Sequence, residues 1–287
     1  VTFHNALNEF ITLRSTPMDL DVLNTMAFNV FDVDDNIIDE LNEVDPDLCY
    51  YNQFASNLHS DYYSEQSFKN LITPQSSASF SVLHSNIRSF FANVSDLLDM
   101  MSSIELQFTV LCLSETWLNC HNCTSATIPN YNHEYRHRAQ KIGGGVSIFL
   151  RDDIQYSVRD DLSLFDERIE SVFVEVHRRY INADRNLVIG CVYRPPRSSI
   201  NEFNDLIKNI LLTITHEKKH AYLSGDFNIN LLTADTHAAT SEFIETLFSC
   251  SFFPTINKPT RITDSSATLI DNVFVNNIHS APITSGI

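Results

Sequence analysis

The sequence predicts a layered α/β domain from about residue 78 onward. Short runs dense in Val, Leu, Ile and Phe recur along this stretch, and segments with apolar residues at helical spacing lie between several of them. A third observation is what stands at the ends of those runs or within them. Asn86, Glu115, Tyr193, Asp226, Asn228 and Asp271 place two amides, three carboxylates and a phenol there, and no histidine occupies a comparable strand end.

The runs Ser81 to His84 and Phe108 to Leu113 flank a segment where Val94, Leu97, Leu98 and Met101 recur at helical spacing, which makes a β-α-β unit. Gly145 to Leu150, Ser171 to Val176 and Leu187 to Tyr193 read as three further strands, and Pro195-Pro196 ends the last of them. Ser199 with Glu202 three residues on forms a capping box, and Phe203, Ile207, Ile210, Leu211 and Ile214 give the following helix one apolar stripe. Ala221 to Ser224 is another buried strand. Phe243, Ile244, Leu247 and Phe248 mark another helix, and Thr268 to Val275 the final strand.

A chain of 287 residues with 43% hydrophobic composition can bury a substantial core. Its net charge of −17 is uneven: residues 1–77 hold 13 acidic and 2 basic side chains, the remainder 23 and 17. Such acidity weighs against broad nucleic-acid contact, because phosphate binding needs local Lys and Arg. Two basic clusters answer it in part. Arg136, Arg138 and Lys141 precede Gly143-Gly144-Gly145, and Arg194 and Arg197 flank Pro195-Pro196; each cluster alone reads equally well as solvated loop charge.

Cys112 and Cys191 lie inside apolar strands and read as core. Cys120 and Cys123 form a C-x-x-C with no second pair at zinc-finger spacing. No 18-residue apolar run and no signal pattern is present, so neither a membrane span nor secretion is expected. Residues 1–77 form an acidic leader, expected to be loosely ordered, with eight acids and no base between Asp32 and Asp47. Within it, Phe68 to Ile72 is expected to form a helix that docks on the domain after it. A start at Val1 rather than Met reads as a fragment or an open-ended gene product.

The chemistry sits at the strand ends. Gly225 lets the chain turn closely after its strand, so that Asp226 and Asn228 project to one side. An isolated D-x-N is an Asx-turn first, and a lone Glu after a strand is a solvated end; together with Asn86 and Glu115 on the same rim, they make a site for a hard divalent cation and a phosphate. In the last strand, alternation puts Asp271 and Asn272 on opposite faces. A buried Asp271 needs a partner, and an imidazole would fit.

The ordered motifs S-N-I-R at 85–88, L-S-E-T-W-L at 113–118, G-G-G-V at 143–146, V-Y-R-P-P at 192–196, S-G-D-F-N at 224–228 and T-L-I-D-N-V-F at 268–274 resemble the endonuclease/exonuclease/phosphatase superfamily. The W-L after S-E-T, the Y-R-P-P, the D-F-N-I-N-L-L and the P-T-R-I-T at 259–263 resemble the apurinic-type endonuclease domain of LINE (non-LTR, jockey-like) retrotransposons. The resemblance covers residues 78–287. It implies a sandwich of two mixed β-sheets flanked by helices, lacking its C-terminal strand.

By position, the resemblance implies that Glu115 and Asn86 hold Mg²⁺ (or Mn²⁺) and that Asp226 orients or deprotonates the attacking water. Asn228 would hold water and phosphate, Tyr193 would donate to a phosphate oxygen, and Asp271 would orient a catalytic His. Thr260, Arg138 and Arg194 would meet substrate phosphate or DNA. The family's last motif, Ser-Asp-His, should begin where this sequence ends at Ser285-Gly286-Ile287, and none of the 11 His, His279 included, reads as a substitute. The implied activity is DNA nicking in the nucleus by a polyprotein made in the cytoplasm, with reverse transcriptase downstream and impaired catalysis in this chain. A phosphoesterase acting on lipid or inositol phosphates and a decayed, non-catalytic binding fragment are the competing readings.

Overall fold

A computed structural model describes residues 60–72, 80–139, 143–181, 183–276 and 285–286. The acidic run of residues 32–47, Lys141 and His279 lie outside them. The described chain enters through strand β1 (Ser60–Asp61) and helix α1 (Glu65–Leu71). It continues through β2 (Val82–Asn86), α2 (Phe90–Ile104), β3 (Val110–Ser114), β4 (Tyr131–Arg136), β5 (Val146–Arg151), β6 (Tyr156–Val158), β7 (Glu170–Val176) and β8 (Leu187–Tyr193). There follow α3 (Ile200–His216), β9 (His220–Asp226), α4 (Ala238–Ser249), β10 (Phe253–Pro254), β11 (Arg261–Thr263), β12 (Ser266–Thr268), β13 (Asp271–Val275) and β14 (Ser285–Gly286).

Two mixed sheets form the centre. One has the order β2-β3-β5-β4, with β2 and β3 parallel and β5 antiparallel to β3. The other runs β10-β13-β9-β8-β7-β6, with β8 and β9 parallel and β13 antiparallel to β9.

Alternation along each strand sorts its side chains between two layers. Leu111 and Leu113 of β3 face outward and pack with Leu97, Met101 and Ile104 of α2. Val110 and Cys112 face inward, against Val174, Ile189 and Cys191 of the other sheet. Val188 and Val192 point out to Phe203, Ile207 and Leu211 of α3, and Phe227 and Phe274 meet Phe243 of α4. The result is helix, sheet, sheet, helix, with each fully buried Leu, Ile or Phe contributing about 1.5–3 kcal/mol of transfer free energy. Ser199 caps α3 by accepting from Glu202 N, as the capping box requires.

Several elements depart from expectation. β4 reads Y-N-H-E-Y-R and lacks apolar density; it holds as an edge strand through its register with β5 and through His133, stacked on Phe149 at 4.0 Å between centroids. β6 and the β11–β12 hairpin are three-residue strands, too short to leave a period. The run Thr268 to Val275 is divided: Thr268 belongs to the hairpin, and Asp271 opens β13 instead of lying within it.

The described part of the leader packs on the body, ahead of the expected boundary at residue 78. Ser60 is 1% exposed and bonded to Asn257, and Tyr62 donates its hydroxyl to Pro259 O at 2.9 Å. α1 docks as expected, with Phe68 and Ile72 against the α2 layer. A few aromatic and aliphatic side chains suffice to anchor a segment whose composition is otherwise acidic. Among the described residues, no helix is long and apolar enough to cross a membrane.

Candidate active site

Three neighbouring strands of the six-stranded sheet bring their inward faces to one rim. Tyr193 ends β8 beside Asp226, which ends β9, and Asp226 stands opposite Asp271 at the start of β13. From the other sheet, β2 delivers Asn86 and the residue after β3 delivers Glu115. Because the strands share their inward phase, residues spread over almost 200 positions converge.

Asn86 joins the two sheets. Its Nδ2 donates to Asp226 Oδ2 at 2.8 Å and to Glu115 Oε1 at 3.1 Å. Tyr193 donates its hydroxyl to the same Glu115 oxygen at 3.2 Å, and Trp117 Nε1 donates to Glu115 Oε2 at 3.3 Å. Glu115 has φ +50°, and its carbonyl accepts from Ser89 N at 2.9 Å, which fixes the turn after β3. Asn228 donates its backbone N–H to Asp226 Oδ1 at 3.0 Å, an Asx-turn, while its own side-chain amide donates to Arg194 O at 2.9 Å. The turn thus clamps the second oxygen of the carboxylate.

Gly225 serves a different purpose from the one expected. It lies within β9, not in a turn, and a Cβ there would stand 2.0 Å from Val192 O of the neighbouring strand. Its missing side chain permits close strand approach.

Thr260 is 2% exposed, donates to Asp271 Oδ2 at 2.9 Å and accepts from Asp271 N and Ile270 N. Its single hydrogen is engaged, so it positions Asp271 instead of meeting phosphate. Arg194 is likewise turned inward. It is 3% exposed, and its guanidinium donates to Phe227 O at 2.8 Å, Asn228 O at 2.6 Å and Ser198 O at 2.6 Å. The five fixed donors of Arg suit several backbone carbonyls better than any aliphatic core residue would, and Arg194 therefore ties residues 195–198 to the turn of Phe227 and Asn228 instead of facing DNA. Arg138 is ion-paired with Glu170, which also accepts from Gly145 N, and a quarter of the Arg138 side chain is exposed.

Sequence reasoning missed His84. It lies on β2 two residues before Asn86, hence on the same face, and its Nδ1 stands 3.8 Å from Asp271 Oδ1 while Nε2 meets Ser114 Oγ at 3.3 Å. The i, i+2 spacing was the available signal. His84 is 1% exposed, and burial lowers its pKa to about 3, so it is a neutral neighbour of Asp271 in the interior and not an imidazole at the open rim. Asn272 faces away from Asp271, as alternation predicts. It accepts from Thr255 N and Ile256 N and donates to Ile256 O.

The model of the endonuclease/exonuclease/phosphatase family matches residues 28–287. The chain belongs to that family. No curated protein matches its sequence. Among solved structures, the AP endonuclease LMAP from Leishmania major is similar with a TM-score of 0.54 at 14% identity, over 79% of this chain and 90% of that one. The catalytic domain of Xenopus laevis APE2 gives 0.53 at 16% identity, over 69% and 82% of the two chains. The endonuclease domain of TRAS1, a telomere-specific non-LTR retrotransposon, gives 0.51 at 13% identity, over 68% and 83%. These likenesses establish a shared fold.

In this member of the family the electrostatics of the rim are those of crowded acids. The Asp226 pKa is raised to about 6, chiefly by burial, with hydrogen bonds from Asn86 and Asn228 lowering it and the Glu115 charge raising it. Asp271 is pushed well up by burial and then by the Asp226 charge. Tyr193 is raised by burial and by Glu115 and Asp226, so its hydroxyl stays protonated and able to donate.

Two carboxylates sharing one amide form a hard-oxygen donor set that suits a divalent cation. Among the described residues, no group of three or more His, Cys, Asp or Glu is placed to hold a metal. Asn86 Oδ1 is buried without a hydrogen-bond partner. A half-turn of the Asn86 amide would exchange the two Nδ2 donor bonds for that oxygen facing both carboxylates, which is the orientation a cation between them would select. The residues present fit the ion.

Proposed function

We propose that this chain is the endonuclease domain of a LINE-type retrotransposon polyprotein, which nicks one strand of chromosomal DNA in the nucleus with Mg²⁺ or Mn²⁺ and has a reverse transcriptase downstream. The observation that carries this reading is the Asn86 amide spanning Glu115 and Asp226, 3.1 and 2.8 Å away, with the Tyr193 hydroxyl on the same Glu115 oxygen. Family membership supports hydrolysis of a phosphate ester. The W-L, Y-R-P-P and P-T-R-I-T motifs support the retrotransposon assignment.

Glu115 and Asn86 would hold the cation, which when bound would neutralise charge on the phosphate and polarise its P–O bond. Asp226 accepts a proton from the attacking water. The water oxygen bonds to phosphorus, the P–O3′ bond breaks, and the departing 3′ oxygen takes a proton from solvent water to leave as a hydroxyl that can prime DNA synthesis. Tyr193, kept protonated by its surroundings, donates to a phosphate oxygen. Thr260 holds the Asp271 carboxyl against rotation beside Asp226. The His84 imidazole, 3.8 Å from Asp271, is buried and stands in the interior instead of at the phosphate.

Nicking of supercoiled plasmid tests the proposal. Conversion to open circles that requires Mg²⁺ and falls at least about a hundredfold in Glu115→Gln and Asp226→Asn is the expected result. Plasmid conversion that persists equally in both variants sinks it.

A further inference from the structure

Trp117 is the only tryptophan in the chain, and 36% of it is exposed at the rim of the site. Two bonds mount it firmly. Its backbone, at φ +55°, donates to Gly144 O at 2.9 Å, and its indole Nε1 donates to Glu115 Oε2 at 3.3 Å. Gly143 lies against the ring edge: a Cβ at that position would sit 3.9 Å from Trp117 Nε1 and 3.9 Å from Arg138 Nη1. The indole and a partly exposed guanidinium therefore flank the same glycine.

A half-open aromatic ring on a fixed backbone, next to a cation, is the arrangement that receives a nucleobase by stacking and an adjacent phosphate by charge. Stacking is tolerant of sequence because every base offers a π-face. The position also matters. The ring hangs from the carboxylate that holds the cation in the nuclease reading, so whatever lies on it is next to the phosphate being cut.

We propose that Trp117 is a substrate-contact residue whose indole stacks on a nucleobase flanking the scissile phosphodiester once that base leaves the duplex stack, with Arg138 taking a neighbouring phosphate. The inference rests on the nuclease reading and deepens it, since it assigns the part of the substrate that the carboxylates do not touch. Because the same ring anchors Glu115, occupancy by a base also steadies the carboxylate that holds the ion.

The single tryptophan makes the test direct. The full chain is titrated with a short labelled DNA duplex in EDTA, following label anisotropy and Trp117 emission together. Emission should fall in step with the rise in anisotropy, because a stacked base quenches the indole. Trp117→Ala should weaken duplex binding about tenfold, whereas Trp117→Phe, which keeps a stacking face, should stay within about threefold of the parent. Duplex binding with unchanged Trp117 emission overturns the inference and leaves the nuclease reading standing. Failure of the parent chain to bind the duplex at low salt overturns the nuclease reading, and this inference with it.

Discussion

Asp226 and Asp271 are direct cross-strand partners in the β9–β13 pairing, both almost fully buried, at 3% and 1% exposure. Opposite residues in such a ladder hold their Cβ atoms about 5 Å apart, so the Asp226 charge adds to burial in raising the Asp271 pKa.

Asp226 has a pKa near 6 in the fold against an ordinary value of 3.8. A raised folded pKa means that its favourable contribution is complete below about pH 3.8 and is lost as pH rises through about 6. The loss amounts to roughly 3 kcal/mol. Denaturant melts in EDTA between pH 4 and 7 should show stability falling over this window, and Asp226→Asn should flatten the slope. Saturating Mg²⁺ at pH 7 should restore stability in the parent chain, since an ion bound only to the folded state stabilises it.

Arg194 separates a structural role from a DNA contact. Its guanidinium holds backbone carbonyls of Phe227, Asn228 and Ser198, and of Pro195 as well. Arg194→Lys should cost about 2–3 kcal/mol in a thermal or urea melt, because buried carbonyls lose their donors. The slope of duplex affinity against salt should not change, whereas removing a phosphate contact reduces it by about one.

Gly225→Ala should be among the most damaging small substitutions in the domain. The new Cβ would lie 2.0 Å from Val192 O, a backbone atom in a paired strand that cannot rotate away. A loss above about 3 kcal/mol is expected in chemical denaturation, together with loss of activity through displacement of Asp226.

Asn272→Ala should destabilise by about 2–3 kcal/mol, leaving the Thr255 and Ile256 amides and the Ile256 carbonyl short of a partner in the interior. Asn272 faces away from Asp271. Cation binding should therefore be unchanged in calorimetry on the folded variant.

The sequence carried the layered architecture because buried strands such as Leu187–Tyr193 and amphipathic helices such as Ile200–His216 write their periods plainly. The gathering of Asn86, Glu115, Tyr193 and Asp226 was also legible, since strand-end placement fixes which rim a residue reaches. Side-chain direction was not. Arg194 reads as a loop cation next to two prolines, yet the turn of Asn228 at φ +48° folds carbonyls over it. His84 escapes notice because it sits within its strand, although its phase matches that of Asn86. The edge strand Tyr131–Arg136 left no signal, since a strand with one solvated face and one neighbour needs little apolar density.

Titration calorimetry of Mg²⁺ or Mn²⁺ into the parent chain, Glu115→Gln and Asp226→Asn tests most directly whether one cation holds this rim together. One site in the parent, lost or weakened at least about tenfold in each variant, is the predicted outcome. An ion that binds the parent and both variants with the same affinity would show that these carboxylates do not form its site.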